Sequence, residues 1–358
     1  MKIYDIAFLG MGASAMATAK LKYEGTNYSL IGIDKNFHNK RNNFFAFWLT
    51  DWMKGFDSLA QKKWFKWSFY LTNNHIIHET DNLPYCTIRY QDWKHYCLKD
   101  LKNLSIKELN VQSIINLNKY FEIQLDNGEK IFAKKIYDSR TPKLEGKKVK
   151  QHFFGYLIDT KQLINSDTVT LMDFRVEQKL GLHFMYCLPI NKNRMLIEST
   201  VFSPEIQKDD WYKNQIMKYI ETKLNIYEYK IVDEEKGVLP MYDIKNKSSE
   251  NYINIGSRGG ASKISTGYAF SFFLKSLLKS NKSKHHYLLD KWMDKVFVNY
   301  LKNDRGTEKI FINMANSLSG NEFASFMMGI SKIRTKFKVV MSMPKIKFIN
   351  AALRTIIN

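Results

Sequence analysis

A glycine-rich turn between a short apolar strand and a helix, near the start of the chain, constrains the fold more than any other feature. The strand is predicted at residues 3–9, "IYDIAFL", and the turn and helix at residues 10–23, "GMGASAMATAKLKY". A second strand is predicted at residues 28–34, "YSLIGID". Gly10, Gly12 and Ala15 match the Gly-x-Gly-x-x-Gly/Ala fingerprint of dinucleotide-binding βαβ units. A lone fingerprint is weak evidence, but its position between a strand and a helix makes the prediction specific.

The residues of this segment have separate physical tasks. Gly10 permits the tight turn, and Gly12 lets the backbone approach a pyrophosphate. Amide groups at the start of the helix, where Ala13 lies, would hold that pyrophosphate, and Ala15 replaces the third glycine. Asp34 ends the second strand, where a carboxylate is expected to bind ribose hydroxyl groups.

A second glycine loop, "IGSRGGASKISTGY" (255–268), occurs late in the chain. Long-chain flavoproteins bind the ADP half of FAD with an N-terminal βαβ unit and the flavin half with a distant loop and helix, so the combination favours FAD over NAD. A helix predicted from about Thr266 would direct its positive end at the flavin. The predicted contributors from this loop are Gly256, Gly259, Gly260, Lys263, Thr266 and Gly267.

The middle of the chain predicts a β-sheet. "DNG" (126–128) between two strand-like runs indicates a hairpin, and "TVTLMDFRV", "LHFMYCLPI" and "RMLIESTVF" predict an antiparallel meander. "DWYKNQIMKYIETKL" predicts an amphipathic helix, and the aromatic residues of 41–72 predict irregular structure. We therefore expect an α/β chain with an FAD-binding Rossmann-like domain (1–75, 91–142 and 236–285), an inserted antiparallel β-sheet domain for substrate (76–90 and 143–235), and a helical C-terminal part (286–358).

Composition bears on partners and location. The formal net charge is +20, which suits an anionic membrane surface or nucleic acid, although a bias towards lysine and asparagine explains it equally well. The chain has no zinc-finger spacing, RNP signature or arginine-rich stripe, so we predict no nucleic-acid partner. Cys86, Cys97 and Cys187 have neither metal-binding spacing nor an even disulfide framework, which predicts no metal site and a cytoplasmic location.

Glu198 stands out because it lies inside an apolar strand. Strand alternation places it on one face with Leu196 and Phe202, while Ser199 falls on the other face. Glu198 is therefore either a solvent-facing strand residue or an acid in an apolar cavity, and its apolar neighbours favour the cavity.

Several segments together resemble the flavoprotein lycopene cyclases of carotenoid biosynthesis, in particular the bacterial β-cyclase type. They occur in the family's order and span nearly the whole chain. The segments are "FLGMGASAMATA", "IYDSRTP", "QHFFGYLIDT", "LMDFR", "FMYCLPINKNRMLIESTVFSP", "KGVLPM", "IGSRGGASKISTGYAFSF" and "MPKIKFINAAL".

The resemblance implies a reaction with no net redox change. An acid protonates the terminal double bond of a lycopene ψ-end, the neighbouring double bond closes a ring, and loss of a proton gives a β-ionone ring. It further implies reduced FAD, with NAD(P)H as a candidate electron source, and an essential acid at Glu198. Where relatives carry a second acid the chain has Ser199, so Glu198 acts alone or with another acid such as Asp173 or Glu177.

The sequence motifs bear on two other functions as well. A flavin monooxygenase or isoprenoid reductase of the same fold would carry Asp-Gly and Gly-Asp-Ala motifs, whereas the corresponding places read "YDSR" and "IGSRGG". An inactive cyclase-like protein that binds carotenoid or flavin is a further alternative. The basic, Met/Phe-rich segment 323–348 predicts either peripheral membrane attachment for collecting a lipid-soluble carotenoid or a helix that covers the core.

Overall fold

The computed structural model describes residues 2–39, 41–244, 247–279, 285–304 and 306–357; the predicted outer domain limits, residues 1 and 358, lie outside these ranges. The strands are β1 (Ile3–Leu9), β2 (Leu30–Ile33), β3 (Phe44–Trp48), β4 (Lys62–Trp64), β5 (Lys66–Leu71), β6 (Asn74–Glu79), β7 (Tyr85–Arg89), β8 (Leu104–Lys107), β9 (Val111–Asn116), β10 (Phe121–Leu125), β11 (Lys130–Asp138), β12 (Lys150–Thr160), β13 (Thr168–Asp173), β14 (Leu182–Asn191), β15 (Arg194–Ser203), β16 (Tyr229–Pro240) and β17 (Tyr252–Asn254).

The helices are α1 (Ala13–Tyr23), α2 (Tyr90–Leu98), α3 (Asp209–Thr222), α4 (Phe270–Leu278), α5 (Leu288–Asn303), α6 (Glu308–Ser317), α7 (Gly320–Met327), α8 (Ile333–Ser342) and α9 (Lys345–Ile357). A 3₁₀ helix spans Asp51–Leu59. The helix predicted from about Thr266 begins at Phe270 instead, because residues 263–268 form a hydrogen-bonded turn.

The first sheet contains the predicted βαβ unit. β1 pairs in parallel with β2 and β11, β2 pairs in parallel with β8, and β11 pairs in parallel with β17. Alternate residues of β1 enter two cores: Phe8 packs with α1, α2 and α4, whereas Leu9 packs with β10 and β11. The predicted hairpin is confirmed as β10–β11, with Gly128 at φ +86° in its turn.

The second sheet has the order β16-β12-β15-β14-β13-β5-β6. β13, β14 and β15 are consecutive antiparallel neighbours, so the predicted meander is confirmed. α3 covers one face, where Ile216 packs with Met185 and Ile197, and α6 and α7 cover the other, where Phe311 packs in the same core as Leu196. The central strands are therefore buried on both sides.

The segment rich in aromatic residues is more regular than predicted. β3 and β4 form a small sheet with β7, and β5 and β6 join the second sheet. Residues 66–75, predicted to belong to the cofactor domain, thus lie mostly in the second sheet, and β16 crosses the predicted boundary at 235/236. β5 pairs in parallel with β13, about 100 residues further on, and local periodicity does not encode such a pairing.

The C-terminal part is helical, as predicted, and α5–α9 pack beside the second sheet. Within the residues that the structure describes, no helix is both long enough and apolar enough to cross a bilayer.

Candidate functional site

The carboxyl ends of β1, β11 and β17 meet at one edge of the first sheet. Ser139 N donates a hydrogen bond to Leu9 O (2.8 Å), and Ser139 Oγ donates one to Gly10 O (2.8 Å). A Cβ atom at Gly256 would lie 2.3 Å from Ser14 Oγ, so the late glycine loop packs against the start of α1. The two glycine segments, 246 residues apart from Gly10 to Gly256, are thus brought together at a place where α/β folds bind ligands.

The fingerprint leaves open space at its centre. Gly10 has φ +76°, which the turn requires, and a Cβ atom at Gly12 would meet nothing within 4 Å. Gly260 has φ +81° and is also open. Asp34 accepts a hydrogen bond from Met11 N (2.8 Å) and therefore lies beside the turn. The space around the backbone at Gly12 and Gly260, together with the amide groups at the N-terminus of α1, fits the pyrophosphate of a dinucleotide. Ala13 and Ala15 form the first turn of α1.

The second half of the glycine loop approaches β12. Gly267 has φ +74°, and a Cβ atom there would lie 2.6 Å from Gln151 Oε1. Gln151 Oε1 and Thr266 Oγ1 are buried and have no hydrogen-bond partner among the described residues. Buried polar atoms normally have partners, so this pair fits the polar edge of a bound ring system such as a flavin. Gly259 has a packing role, because a Cβ atom there would lie 2.5 Å from Asn254 O.

Lys263 does not face this open space. Its ammonium forms a buried ion pair with Asp294 of α5 (2.6 Å), and Ser265 Oγ donates a hydrogen bond to the same carboxylate (2.8 Å). Burial raises the pKa of Asp294 in spite of these two partners. The Lys263 side chain therefore forms an ionic link between the loop and α5, and the role of Lys263 in cofactor binding stays a prediction.

Glu198 reaches into a cavity of about 180 Å³ between the second sheet and the helices. The aromatic side chains of Trp48 and Phe184 line this cavity, whereas Trp64 and Trp67 lie in the core beside it. Other lining residues are Ala46, Phe69, Tyr85, Gln151, Leu171, Met172, Tyr186, Thr200, Phe202, Leu239, Ser265, Thr266, Gly267, Tyr268, Phe311, Met314, Phe323 and Met327. The same space thus joins Glu198, aromatic faces and the glycine loop.

The other acids considered for catalysis lie elsewhere. Asp173 is fully buried, forms an ion pair with Arg175 (2.6 Å) and accepts a hydrogen bond from Tyr219 of α3 (2.7 Å). The Glu177 carboxylate pairs with Lys179. Neither of these two acids lines the cavity of Glu198, so the geometry does not support the alternative in which one of them assists Glu198.

Ser199 also lies away from the cavity, as strand alternation predicted. Its hydroxyl contacts His183 Nε2 (2.9 Å) on the α3 side of the sheet. His152 lies on that side too, with Tyr212 as a partner. Burial lowers the pKa of both His152 and His183 to about 4, so both rings are neutral at physiological pH and act in packing.

A second carboxyl group, missed in the sequence, lies beside Glu198. Gly155 of β12 pairs with Glu198 on one side and with Glu235 of β16 on the other, and both glutamate side chains bend over this glycine towards each other. Burial, with the neighbouring Glu235, raises the pKa of Glu198 well above its ordinary value; burial also raises that of Glu235. The available signal was weak, since "DEEKG" reads as a charged, exposed run.

Three tyrosines line the same cavity. Tyr85 Oη lies 2.8 Å from Tyr186 Oη and 3.0 Å from Tyr268 Oη, and Tyr186 is the cross-strand neighbour of Glu198. Burial raises the pKa of all three phenols, so they stay neutral and present aromatic faces without adding charge.

A larger apolar cavity of about 490 Å³ lies under the C-terminal helices. Val340 and Met341 of α8 and Ile349 of α9 line it at the protein surface. It shares a wall with the cavity of Glu198, formed by Ser265, Thr266, Phe311, Met314 and Met327. An apolar space thus extends from the surface of α8 and α9 to the wall of the Glu198 cavity.

Sequence comparison identifies the family to which this arrangement belongs. The family model described as lycopene cyclase protein matches residues 5–353. The chain belongs to the lycopene cyclase family. No curated protein matches the chain significantly in sequence.

Solved structures similar to this lycopene cyclase family member share its fold. A geranylgeranyl bacteriochlorophyll reductase-like protein from Thermoplasma acidophilum has a TM-score of 0.64 at 10% identity, covering 99% of this chain and 100% of that one. A flavoprotein/dehydrogenase from Cytophaga hutchinsonii has a TM-score of 0.62 at 10% identity, covering 99% of both chains. A variant of the halogenase PltM in complex with FAD has a TM-score of 0.55 at 10% identity, covering 93% of this chain and 78% of that one. The predicted fold class is confirmed.

Lys263→Met tests the structural role of the ion pair. It leaves the Asp294 carboxylate buried without its cation, so we expect the free energy of unfolding to fall by about 3–5 kcal/mol. Urea denaturation measures the loss, and the double variant Lys263→Met, Asp294→Leu should recover much of it. Wild-type stability in Lys263→Met, together with loss of bound flavin, would instead assign the lysine to the cofactor.

Proposed function

We propose that the protein is a flavin-dependent lycopene β-cyclase, an isomerase of the intramolecular lyase class that closes one or both ψ-ends of lycopene to β-ionone rings. The observation that carries the proposal is Glu198, a carboxyl of raised pKa in an aromatic cavity of a lycopene cyclase family member. Membership of this family supports cyclisation over the monooxygenase and reductase alternatives.

Protonation of an alkene requires a carboxyl that stays protonated near neutral pH. Burial disfavours the charged form of Glu198, so the group retains its proton until a substrate double bond lies against it. The proton passes from the Glu198 oxygen to the terminal double bond, and the resulting tertiary cation is attacked by the neighbouring double bond. The ring then loses a proton from the adjacent carbon.

A cation in this cavity has to be protected from water and stabilised. Trp48, Phe69 and Tyr85 are among the aromatic side chains that line the cavity, and aromatic faces attract positive charge. The lining is mostly apolar, which limits the access of water that would trap the cation as an alcohol.

FAD is the proposed cofactor. Gly10, Gly12 and the α1 amides would hold the pyrophosphate, and Asp34 the ribose. Thr266 and Gly267 would contact the flavin end, beside the cavity of Glu198. A reduced flavin supplies negative charge that stabilises a nearby cation, with NAD(P)H as the proposed electron source.

Gly12→Val tests the cofactor assignment. Space around Gly12 and its φ of −75° allow a side chain in the folded protein, but that side chain would project where the pyrophosphate must approach. We expect a folded protein that has lost most of its flavin absorbance. Gly146→Val is the matched control, because that glycine is equally open but lies in a loop away from the fingerprint. Undiminished flavin in Gly12→Val contradicts the assignment.

Glu198→Gln tests the acid. The amide keeps the size of the side chain but lacks a proton of suitable acidity, so ring formation should fall by at least about 100-fold while flavin is retained. Pigments from lycopene-accumulating bacteria, separated by chromatography, provide the measurement. Ser199→Ala, the next residue on the opposite face, should keep cyclase activity. Unchanged lycopene with the flavin-loaded wild-type protein rules out the cyclase.

We further propose that α8 and α9 rest on an anionic membrane surface, from which the cytoplasmic protein collects its carotenoid. Exposed apolar residues recur at helical spacing on both helices: Ile333, Phe337, Val340, Ile346, Ile349, Leu353 and Ile356. The same segment has no acidic residue, and its basic residues are Lys332, Arg334, Lys336, Lys338, Lys345, Lys347 and Arg354. The larger apolar cavity reaches the surface in this face, which suits transfer of an elongated hydrocarbon.

The double variant Ile346→Glu, Ile356→Glu tests this face. Both residues are well exposed, at 78% and 70%, so the fold should tolerate the change. Binding to vesicles that contain phosphatidylserine should weaken about tenfold or more, because two inserted side chains are lost. Leu163→Glu, Tyr227→Glu is the control, with both residues 71% exposed but outside α8 and α9. Equal sedimentation of the two variants with vesicles contradicts the proposal.

A further inference from the structure

We propose that Glu235, held against Glu198 across Gly155, is a positioning residue that keeps Glu198 protonated in the resting protein and makes it the group that takes the ring proton back. The inference rests on the proposed cyclase function and concerns how one carboxyl serves as both acid and base.

The contact between Glu198 and Glu235 depends on the glycine that lies between them. Glu198, Gly155 and Glu235 form a row across β15, β12 and β16. Neighbouring strands lie about 4.8 Å apart, so the two glutamate backbones are about 10 Å from each other. A Cβ atom at Gly155 would lie 2.9 Å from Glu198 Cγ and 3.3 Å from Glu235 Cγ. Glycine at this position therefore allows both side chains to bend over the middle strand and meet.

Two carboxyl groups in such contact hold one proton between them, since two adjacent negative charges are unfavourable in an apolar site. Polar groups of the Asn43 side chain and the Phe44 backbone lie near the Glu235 carboxyl and oppose the rise in its pKa that burial causes. These groups favour the charged form of Glu235. The shared proton consequently resides on Glu198, the member of the pair that lines the cavity.

The pair accounts for both proton transfers. Glu198 gives its proton to the terminal double bond, forming the new C–H bond, and becomes a carboxylate beside the negatively charged Glu235. Like charge makes this carboxylate a stronger base than an isolated one. The ring cation loses a proton to Glu198, a C=C bond forms from the C–H electron pair, and Glu198 is protonated again. No proton is gained or lost overall, and Glu235 keeps its charge throughout.

Glu235→Gln tests the inference through the pH profile of cyclisation. Activity requires protonated Glu198 and is lost as the pH rises through the pKa of that group. A negative neighbour raises that pKa, so removing its charge should move the alkaline loss of activity to lower pH by about one unit or more. Glu234→Gln, the adjacent exposed acid that pairs with Lys213, should not move it. A purely structural role of Glu235 would lower activity at every pH without moving this limit, and that result would overturn the inference.

Infrared titration of the substrate-free protein gives a second measurement that needs no activity. The carbonyl band of a protonated carboxyl that disappears in Glu198→Gln reports the Glu198 proton. In Glu235→Gln, and in Gly155→Ala, this band should be lost at lower pH than in the wild type. If the wild type forms no ring but the band shifts as expected in the variants, the cyclase proposal fails, while the interaction between Glu235 and Glu198 is supported. If rings form and neither variant shifts the band or the pH limit of activity, the proposal that Glu235 keeps Glu198 protonated is wrong. Should Gly155→Ala fail to fold, Glu235→Gln alone decides.

Discussion

A β-sheet covered on both faces commits every residue of its central strands to one of two buried sides. In β15, Ile197 and Val201 pack against α3, while Leu196 and Phe202 face the helices of the C-terminal part. A slip of one residue would exchange these sides, so the apolar residues of both faces specify the register strongly. That register places Glu198 in the cavity, Ser199 beneath α3, and Gly155 in line with both glutamates.

The charges on the two sides of this sheet are arranged differently. On the α3 side, Asp173 is neutralised by Arg175, and the histidines are neutral because burial lowers their pKa to about 4. On the cavity side the tyrosines stay neutral and the acid pair carries a single negative charge under the proposed scheme. An apolar space with aromatic faces and one nearby anion favours a cation, which is the species formed in the proposed ring closure.

The glycine loop contacts both the second sheet and the C-terminal helices. Gln151 of β12 meets the glycine loop at Gly267, four residues before the glycine that separates the two acids. Lys263 of the same loop is tied to α5 by a buried ion pair. The same loop, together with α6 and α7, forms the wall shared by the two cavities. The proposed cofactor site, the proposed acid Glu198 and the proposed entrance for substrate therefore adjoin one another.

The sequence alone determined the βαβ unit, the hairpin, the meander and the face of Glu198, because each depends on local periodicity or on turn residues close in the chain. Strand alternation also placed Ser199 on the opposite side. Other features were decided only by tertiary structure. β5 joins the second sheet through a parallel pairing with β13, and Lys263 finds its partner in α5. The partner of Glu198 is Glu235, 37 residues later in an acidic run, and their contact requires a strand between them with glycine at the crossing point. Pairings between distant segments are set by which strands lie side by side, and no local pattern records that.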